Sequence, residues 1–186
     1  MIRIPINVPN MLTMLRFALI PVTTIFIYFG MIVPALITYV VACATDVLDG
    51  FIARRFHMIT EEGMLLDPLA DKLMAIFAVV AFTVTGILPL FVLIVLLIKE
   101  VIMIGGGVFL YFRDIVTPAN IFGKIAAFTF NVSIGLIFLY VAISDKGTVP
   151  WHVYVISFAL LLMLLSLLQY TLLNIRKLKG RSKKQA

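Results

Sequence analysis

The chain has 186 residues, 63% of them hydrophobic and only 13% charged, and its mean hydropathy is +1.16. These values exclude a soluble globular domain and indicate one membrane domain, residues 1–186, with several membrane-spanning helices. The formal net charge of +6 does not indicate a nucleic-acid-binding protein, because the basic residues fall where cytoplasmic loops are predicted.

Apolar runs long enough to cross a bilayer predict six transmembrane helices, and therefore an all-α integral membrane protein. The first residues, 1–10, contain two prolines and are expected to form a short segment at the membrane interface. Asn10 or Thr13 is a candidate cap for the first helix. The predicted crossings are residues 11–30, 33–56, 64–86, 88–112, 120–143 and 150–175.

The distribution of basic residues predicts how these helices are oriented. An even number of crossings places both termini on one side, and nearly every Lys and Arg, Arg16 included, falls on that side. Lys146 alone falls on the other side. The positive-inside rule therefore predicts cytoplasmic termini, with residues 176–186 as a basic tail that contacts anionic lipid. The chain shows no organelle-targeting feature, so a bacterial plasma (inner) membrane is the expected location.

Four aspartates lie in a short window of this otherwise apolar sequence. They belong to two patterns with helical spacing, one on the second predicted helix and one on the third. The first pattern has i, i+3, i+4, i+7 spacing and the second recurs every fourth residue, so each marks one face of its helix. The residues are Asp46, Asp49, Gly50 and Ala53 on the second helix, and Gly63, Asp67 and Asp71 on the third.

Two acidic faces joined by a short polar turn predict a cavity that holds four carboxylates. A charged side chain at bilayer depth costs about 2.5–3.5 kcal/mol on insertion scales, so such residues usually mark function. Unpaired carboxylates also repel one another, and a divalent cation removes both penalties. All-oxygen ligands suit Mg²⁺, Mn²⁺ or Ca²⁺. The alternative is a set of loop-end aspartates paired at the membrane surface with Arg54, Arg55 and Lys72.

Two further features surround this acidic window. Asp67 precedes Pro68, which predicts a break or kink in the third helix. Lys99, Arg113 and Lys124 fall near the predicted cytoplasmic ends of helices four and five, where they suit a substrate that carries a phosphate. Lys124 lies early in its helix, where a positive charge is unfavourable because it opposes the helix dipole. Its presence there favours a role in binding a ligand. For Arg113 the alternative is a charge that only sets topology.

The acidic window resembles the signature of the CDP-alcohol phosphotransferase family. That signature is D-x-x-D-G-x-x-A-R, eight residues, then G-x-x-x-D-x-x-x-D, and every fixed position is present here. Residues 8–16 and 66–72 also resemble members of this family, so the resemblance covers most of the chain. The fixed positions are Asp46, Asp49, Gly50, Ala53, Arg54, Gly63, Asp67 and Asp71.

The resemblance implies a six-helix enzyme, usually a homodimer, that displaces CMP from a CDP-linked lipid with an acceptor hydroxyl. It implies that Asp46, Asp49 and Asp67 ligate a metal ion. Asp71 would complete a site for two Mg²⁺ or Mn²⁺ ions and act as general base on the acceptor hydroxyl. The residues implied for CDP are Asp49, Gly50, Ala53, Arg54 and Gly63, and those for the acceptor are Lys99, Arg113 and Lys124.

The donor implied by the resemblance is CDP-diacylglycerol, and the acceptor we expect is sn-glycerol 3-phosphate, giving phosphatidylglycerophosphate and CMP. Family members that use this acceptor typically carry Arg-Glu at the position of Lys99-Glu100, and then an arginine that aligns here with Gly107. Lys124 keeps the family's glycine–lysine pair. Because the arginine is absent, phosphatidylglycerol is the alternative acceptor, as in the cardiolipin synthases of the family.

Two other classes of protein also use aspartates in membranes. A cation transporter predicts acids spread across the bilayer with access from both faces, whereas the acids here cluster at the predicted cytoplasmic end. An intramembrane prenyltransferase usually needs more helices and a second acidic motif, and this chain has neither. The phosphatidyltransferase is therefore the favoured interpretation.

Overall fold

The computed structural model describes the backbone of residues 8–56, 60–112, 121–143 and 150–185, and side chains other than those of residues 54, 61, 62, 64, 65, 111 and 176–185. Within these residues the chain forms six helices and no strand, which confirms the predicted all-α fold. The helices are α1 (Val8–Tyr28), α2 (Ile32–Arg55), α3 (Glu61–Val84), α4 (Leu90–Tyr111), α5 (Ile121–Ile143) and α6 (Trp151–Gln185).

Five of these helices, all except α3, are long and apolar enough to cross a membrane. The protein is therefore a multi-pass integral membrane protein, and large apolar side chains such as Phe128 and Val101 are exposed on its helices, as lipid contact requires. The third helix was also predicted to cross. It has 24 residues, which is long enough to cross. Its first half contains Asp67, Asp71 and Lys72, and these charges make it less apolar than the membrane-spanning segments of the other five helices.

Helix boundaries differ from the prediction at both ends of the chain. The first helix begins at Val8, so Asn10 and Thr13 lie inside α1 and the prediction that either caps it is wrong. Pro9 permits the early start, because a proline in the first turn gives up an N–H that has no helical partner. The last helix continues to Gln185 instead of ending near residue 175, since the Lys- and Arg-rich tail has good helix propensity.

The third helix also runs on through Pro68, so the predicted break at Asp67 is wrong. It begins after Thr60, whose side chain accepts a hydrogen bond from the Gly63 N–H and so satisfies one of the unpaired donors of the first turn. Proline removes a single backbone hydrogen bond from its helix. Within a membrane bundle that loss is tolerated, because groups on neighbouring helices can satisfy the freed backbone carbonyl. Asp67 and Asp71 therefore lie on one uninterrupted helix.

The chain divides into two compact units. The first comprises Met1–Pro89 and Ile134–Thr148, and there α1 packs against both α2 and α3, which contact each other little. The core of this unit includes Phe82 and Phe138, whose ring centroids are 4.9 Å apart, and Tyr39, whose ring lies 5.4 Å from that of Phe138. The prediction of a single domain, residues 1–186, stays a prediction.

The second unit comprises Leu90–Ser133 and Val149–Ala186. In it α4 packs against α6. The start of α5 also lies against α6, because a Cβ added at Gly123 would lie 3.2 Å from Ser166 Oγ. Small residues at such positions let membrane helices approach closely.

Candidate active site

The first helix turns a polar stripe towards the interior of the first unit. Asn10, Thr13, Arg16 and Thr23 are all buried, with exposures of 3% or less. Their spacing of three to seven residues places them on one face of α1. Because α1 packs against both α2 and α3, this face meets the two helices that carry the aspartates.

Arg16 joins α1 to the acidic face of α2. Its guanidinium Nη2 donates a hydrogen bond to Asp49 Oδ2, and Nη1 lies 2.8 Å from Asp46 Oδ1. The three-residue spacing of the two aspartates brings both carboxylates within reach of one guanidinium fork. Sequence reasoning placed Arg16 among the cytoplasmic charges and in the segment 8–16 that resembles the family, and gave it no role in the site. The signal that could have revealed its role is its position within an apolar membrane helix, where an ionisable side chain marks a functional site by default.

Thr13 joins α1 to the acidic face of α3. Its hydroxyl lies 2.5 Å from Asp67 Oδ1 and 3.1 Å from the Pro9 carbonyl oxygen. A hydroxyl has one hydrogen to donate, and the shorter contact with an ionised acceptor favours Asp67. Thr13 therefore fixes the carboxylate of Asp67, a contact that sequence reasoning also missed.

Gly63 lies where the start of α3 meets the start of α1. Its N–H donates to Thr60 Oγ1 at 3.0 Å, and Thr60 Oγ1 is 3.2 Å from Asn10 Oδ1. A Cβ at Gly63 would lie 2.9 Å from Thr60 Oγ1 and 3.0 Å from Asn10 Oδ1. The structure thus gives a packing reason for the glycine of the motif, and its predicted contact with CDP stays a prediction.

The four aspartates of α2 and α3 form one electrostatic group, named the acidic cluster below: Asp46, Asp49, Asp67 and Asp71. Asp46 lies close enough to Asp67 and Asp71 for their charges to interact. Asp49 interacts in the same way with Asp46 and Asp67. The alternative of surface aspartates does not describe Asp49, which is buried at 2% exposure and paired with Arg16.

The acidic cluster fits a hard cation in its chemistry. Its donors are all carboxylate oxygens, which Mg²⁺ and Mn²⁺ prefer, and Arg16 sets one positive charge against four negative ones. Among the residues the structure describes, no three His, Cys, Asp or Glu side chains are placed together closely enough to hold a metal ion. The carboxylates of α2 face Arg16 and that of Asp67 faces Thr13, and the metal-ligand roles stay predictions.

The remaining predicted site residues of α2 and α3 lie as follows. Asp71 is half-buried on α3, and its charge acts on Asp46. Gly50 and Ala53 are half-buried on α2, on the helix face that carries the aspartates. Arg54 belongs to α2, but its side chain lies outside the described residues. The assignment of these residues to CDP or to the proton transfer stays a prediction.

The predicted acceptor residues belong to the second unit. Lys99 Nζ lies 2.5 Å from Glu100 Oε1, and both residues are buried at 6% exposure. Lys124 is exposed in the first turn of α5. Arg113 lies outside the described residues. The structure thus pairs Lys99 with a carboxylate and leaves Lys124 accessible, and the role of all three in acceptor binding stays a prediction.

A profile of the CDP-alcohol phosphatidyltransferase family matches residues 6–175 of the chain. The chain belongs to this family. The match includes all of α1 to α5 and the membrane-spanning part of α6, together with every residue of the acidic cluster. The family predicted from the spacing of the motif is thereby confirmed.

Several curated relatives carry names that state a substrate or a product. The chain is 30% identical over 180 residues to the "CDP-diacylglycerol--glycerol-3-phosphate 3-phosphatidyltransferase" of Aquifex aeolicus (strain VF5), covering 89% of this chain and 94% of that protein. It is 29% identical to the protein of the same name from Bacillus subtilis (strain 168), over 72% of this chain and 77% of that one. It is also 33% identical to a human "Cardiolipin synthase (CMP-forming)", over 63% of this chain and 39% of that protein.

Proposed function

We propose that this member of the CDP-alcohol phosphatidyltransferase family transfers the phosphatidyl group of CDP-diacylglycerol to sn-glycerol 3-phosphate, giving phosphatidylglycerophosphate and CMP. The observation that carries the proposal is the acidic cluster, which α1 supports from one side and which contains every aspartate of the family signature. Relatives that share most of the chain are named for this donor and this acceptor.

In the proposed reaction the acceptor hydroxyl attacks the phosphorus that bears the diacylglycerol. A new oxygen–phosphorus bond forms, the bond to the CMP phosphate breaks, and the hydroxyl proton passes to the Asp71 carboxylate. Arg54 is assigned to the diphosphate of the donor, and Gly50, Ala53 and Gly63 to the close approach of the nucleotide. Arg54 and the three small residues thus bind and orient the donor.

A divalent cation, Mg²⁺ or Mn²⁺, is part of the proposal, and Asp46, Asp49, Asp67 and Asp71 are the residues that would hold it, with two ions expected. When bound, it supplies charge neutralisation for the diphosphate and for the CMP leaving group. The protein's part is to keep four carboxylates together in an apolar surrounding. The contact of Thr13 with Asp67 supports that role, because it holds one of these carboxylates at a defined place.

The membrane context supports an amphiphilic donor. The helices that carry the cluster are part of a multi-pass membrane protein, so acyl chains can stay in lipid while the CDP group enters from the aqueous side. We assign both termini and the acidic cluster to the cytoplasmic side of a bacterial plasma membrane, because basic residues are concentrated on that side of the predicted topology. A homodimer is proposed on the family resemblance.

The acceptor is the least constrained part of the proposal. Lys99, Arg113 and Lys124 are assigned to the phosphate of glycerol 3-phosphate, and the exposed position of Lys124 suits such a role. Phosphatidylglycerol is the second candidate. It is favoured by Gly107, which stands where glycerol-3-phosphate enzymes carry an arginine, and by the likeness to a protein named cardiolipin synthase.

The experiment that tests the function offers several acceptors to the purified protein. Protein in lipid nanodiscs would receive CDP-diacylglycerol, Mg²⁺ and one of glycerol 3-phosphate, phosphatidylglycerol, serine or inositol phosphate. Mass spectrometry would identify the lipid product, and CMP release would give the rate. We expect phosphatidylglycerophosphate with glycerol 3-phosphate. If only phosphatidylglycerol is consumed, it takes the place of glycerol 3-phosphate as the proposed acceptor. If no acceptor gives CMP release, the proposal is overturned.

A further inference from the structure

We propose that Arg16 is the built-in counter-ion of the acidic cluster, and that Arg16 and a divalent cation compete for the carboxylates of Asp46 and Asp49. The inference rests on the cation site of the proposed function. It adds a residue of α1 that governs how tightly the cation is held, and it predicts the sign of the effect when that residue is replaced.

Arg16 has the contacts of a group that neutralises buried charge. It is 1% exposed, and one guanidinium reaches both carboxylates of α2. Removing one partner of a buried ion pair leaves an uncompensated charge. In the cation-free protein Arg16 is therefore the group that allows Asp49, itself only 2% exposed, to stay buried and ionised.

The guanidinium is held unevenly. Nη2 donates a hydrogen bond to Asp49, whereas the 2.8 Å contact of Nη1 with Asp46 lacks hydrogen-bond alignment, and Nε has no hydrogen-bond partner among the described residues. The Asp46 side chain is also 42% exposed. Asp46 is therefore the carboxylate that an entering ion reaches first and that Arg16 releases more easily.

Arg16 contacts one oxygen of each α2 carboxylate, so a doubly charged ion bound through the other oxygens would lie close to the guanidinium. Like charges a few ångströms apart repel strongly where water is excluded. In the present arrangement Arg16 occupies Asp46 and Asp49, and no three carboxylates of the described residues are placed to hold an ion. Cation binding therefore works against the charge of Arg16, which lowers the affinity of the site for the ion.

A purely orienting role of Arg16 predicts the opposite effect. Groups that orient metal ligands raise affinity, and their loss typically lowers it about 10–100-fold. If Arg16 competes, its removal tightens cation binding, because a repelling charge disappears from a site with four carboxylates. The sign of the change in affinity separates the two roles.

The test measures binding of Mn²⁺ alone to the purified full-length protein by electron paramagnetic resonance, without any CDP-linked lipid. We expect Arg16→Gln to bind Mn²⁺ about tenfold more tightly than the wild type. Arg16→Lys keeps the charge, but an ammonium does not span two carboxylates as the guanidinium fork does, so its affinity should be intermediate. Arg55→Gln removes the same charge from an exposed position on α2 and should leave Mn²⁺ affinity unchanged.

The melting temperature gives a second readout that does not depend on catalysis. Without cation, Arg16→Gln should melt below the wild type, because Asp49 stays buried without its counter-ion. Saturating Mn²⁺ should raise the melting temperature of Arg16→Gln by more than that of the wild type, since a tighter ligand stabilises the folded state more. If Arg16→Gln does not fold, Arg16→Lys decides by the same two measurements.

Tighter Mn²⁺ binding in the Arg16 variants and not in Arg55→Gln supports the inference. Weaker or unchanged binding in the Arg16 variants overturns it and leaves the proposed function standing. An equal gain in Arg55→Gln also overturns it, because the effect would then reflect net charge. If neither the wild type nor the Arg16 variants bind Mn²⁺, the inference fails together with the cation site.

Discussion

Thr13 and Arg16 show at the residue scale how α1 completes a site whose acids lie on other helices. The contacts join residues 54 positions apart for Thr13 and Asp67, and 33 positions apart for Arg16 and Asp49. Spacing rules report which residues share one helix face, and they carry no information on pairs this distant. The acids of the site could therefore be predicted from the sequence, and their partners could not.

Replacing Asp71 tests the proposed proton acceptor. Asp71→Asn keeps the size of the side chain and removes its basicity, so we expect CMP release from CDP-diacylglycerol to fall about 100-fold or more, with an unchanged elution profile in size-exclusion chromatography. Asp145→Asn, outside the family signature, makes the same chemical change and should retain wild-type rates. Wild-type rates in Asp71→Asn would remove Asp71 from its assigned role.

Replacing Thr13 tests whether the orientation of Asp67 matters. Thr13→Val keeps the shape but removes the hydrogen bond to a charged acceptor, so kcat/KM should fall about tenfold. The matched control is Thr23→Val, which removes the 2.9 Å bond to Thr38 farther along the same helix. We expect that control to lose about 1 kcal/mol of stability and little activity. Equal activity losses in the two variants would show that Thr13 acts only through stability.

At the scale of elements, the start of α3 is fixed by its packing on α1. Thr60 caps the helix, Gly63 leaves no room for a Cβ, and Pro68 is accommodated within the helix. The approximate positions of the six helices followed from the apolar runs of the sequence. The start of α1 at Val8 and the continuity of α3 could not be predicted in this way. Local sequence rules treat Pro9 and Pro68 as helix breakers, and only the packed structure shows that both are accommodated within helices.

Two glycines of the chain provide a matched pair for this packing. At Gly63 an added Cβ would lie within 3.0 Å of two side-chain oxygens, whereas at Gly105 it would meet nothing within 4 Å. We expect Gly63→Ala to lose about 1–3 kcal/mol of stability and Gly105→Ala to gain up to about 1 kcal/mol from helix propensity. Thermal melts in detergent would compare them. A stable Gly63→Ala would show that α1 and α3 adjust freely at this point.

At the scale of the whole molecule, charge and hydropathy were sufficient to predict a helical membrane protein, and the spacing of eight residues was sufficient to predict its family. The acceptor did not follow from the same reasoning. It depends on Lys99, Arg113 and Lys124, and in the structure Lys99 is already paired with Glu100. A spacing rule cannot predict such a pairing, because it does not show which neighbouring residue a side chain contacts.

The proposed topology can be tested with cysteine labelling in a Cys43→Ala background. Two single-cysteine variants would be compared, Ser182→Cys in the basic tail and Ser144→Cys directly after α5 in the sequence. Because both termini are assigned to the cytoplasm, a membrane-impermeant maleimide should label Ser144→Cys in intact bacterial cells and Ser182→Cys only after permeabilisation. Labelling of both from outside would contradict the assignment of the termini.

The packing of α1 against two helices that barely contact each other bears on how the protein is made. Because α1 is synthesised before α2, we expect Arg16 to be available for pairing when Asp46 and Asp49 insert. The two acids of α2 could then be neutralised as they enter the bilayer. The order of the helices along the chain thus places the buried cation ahead of the two acids that it neutralises.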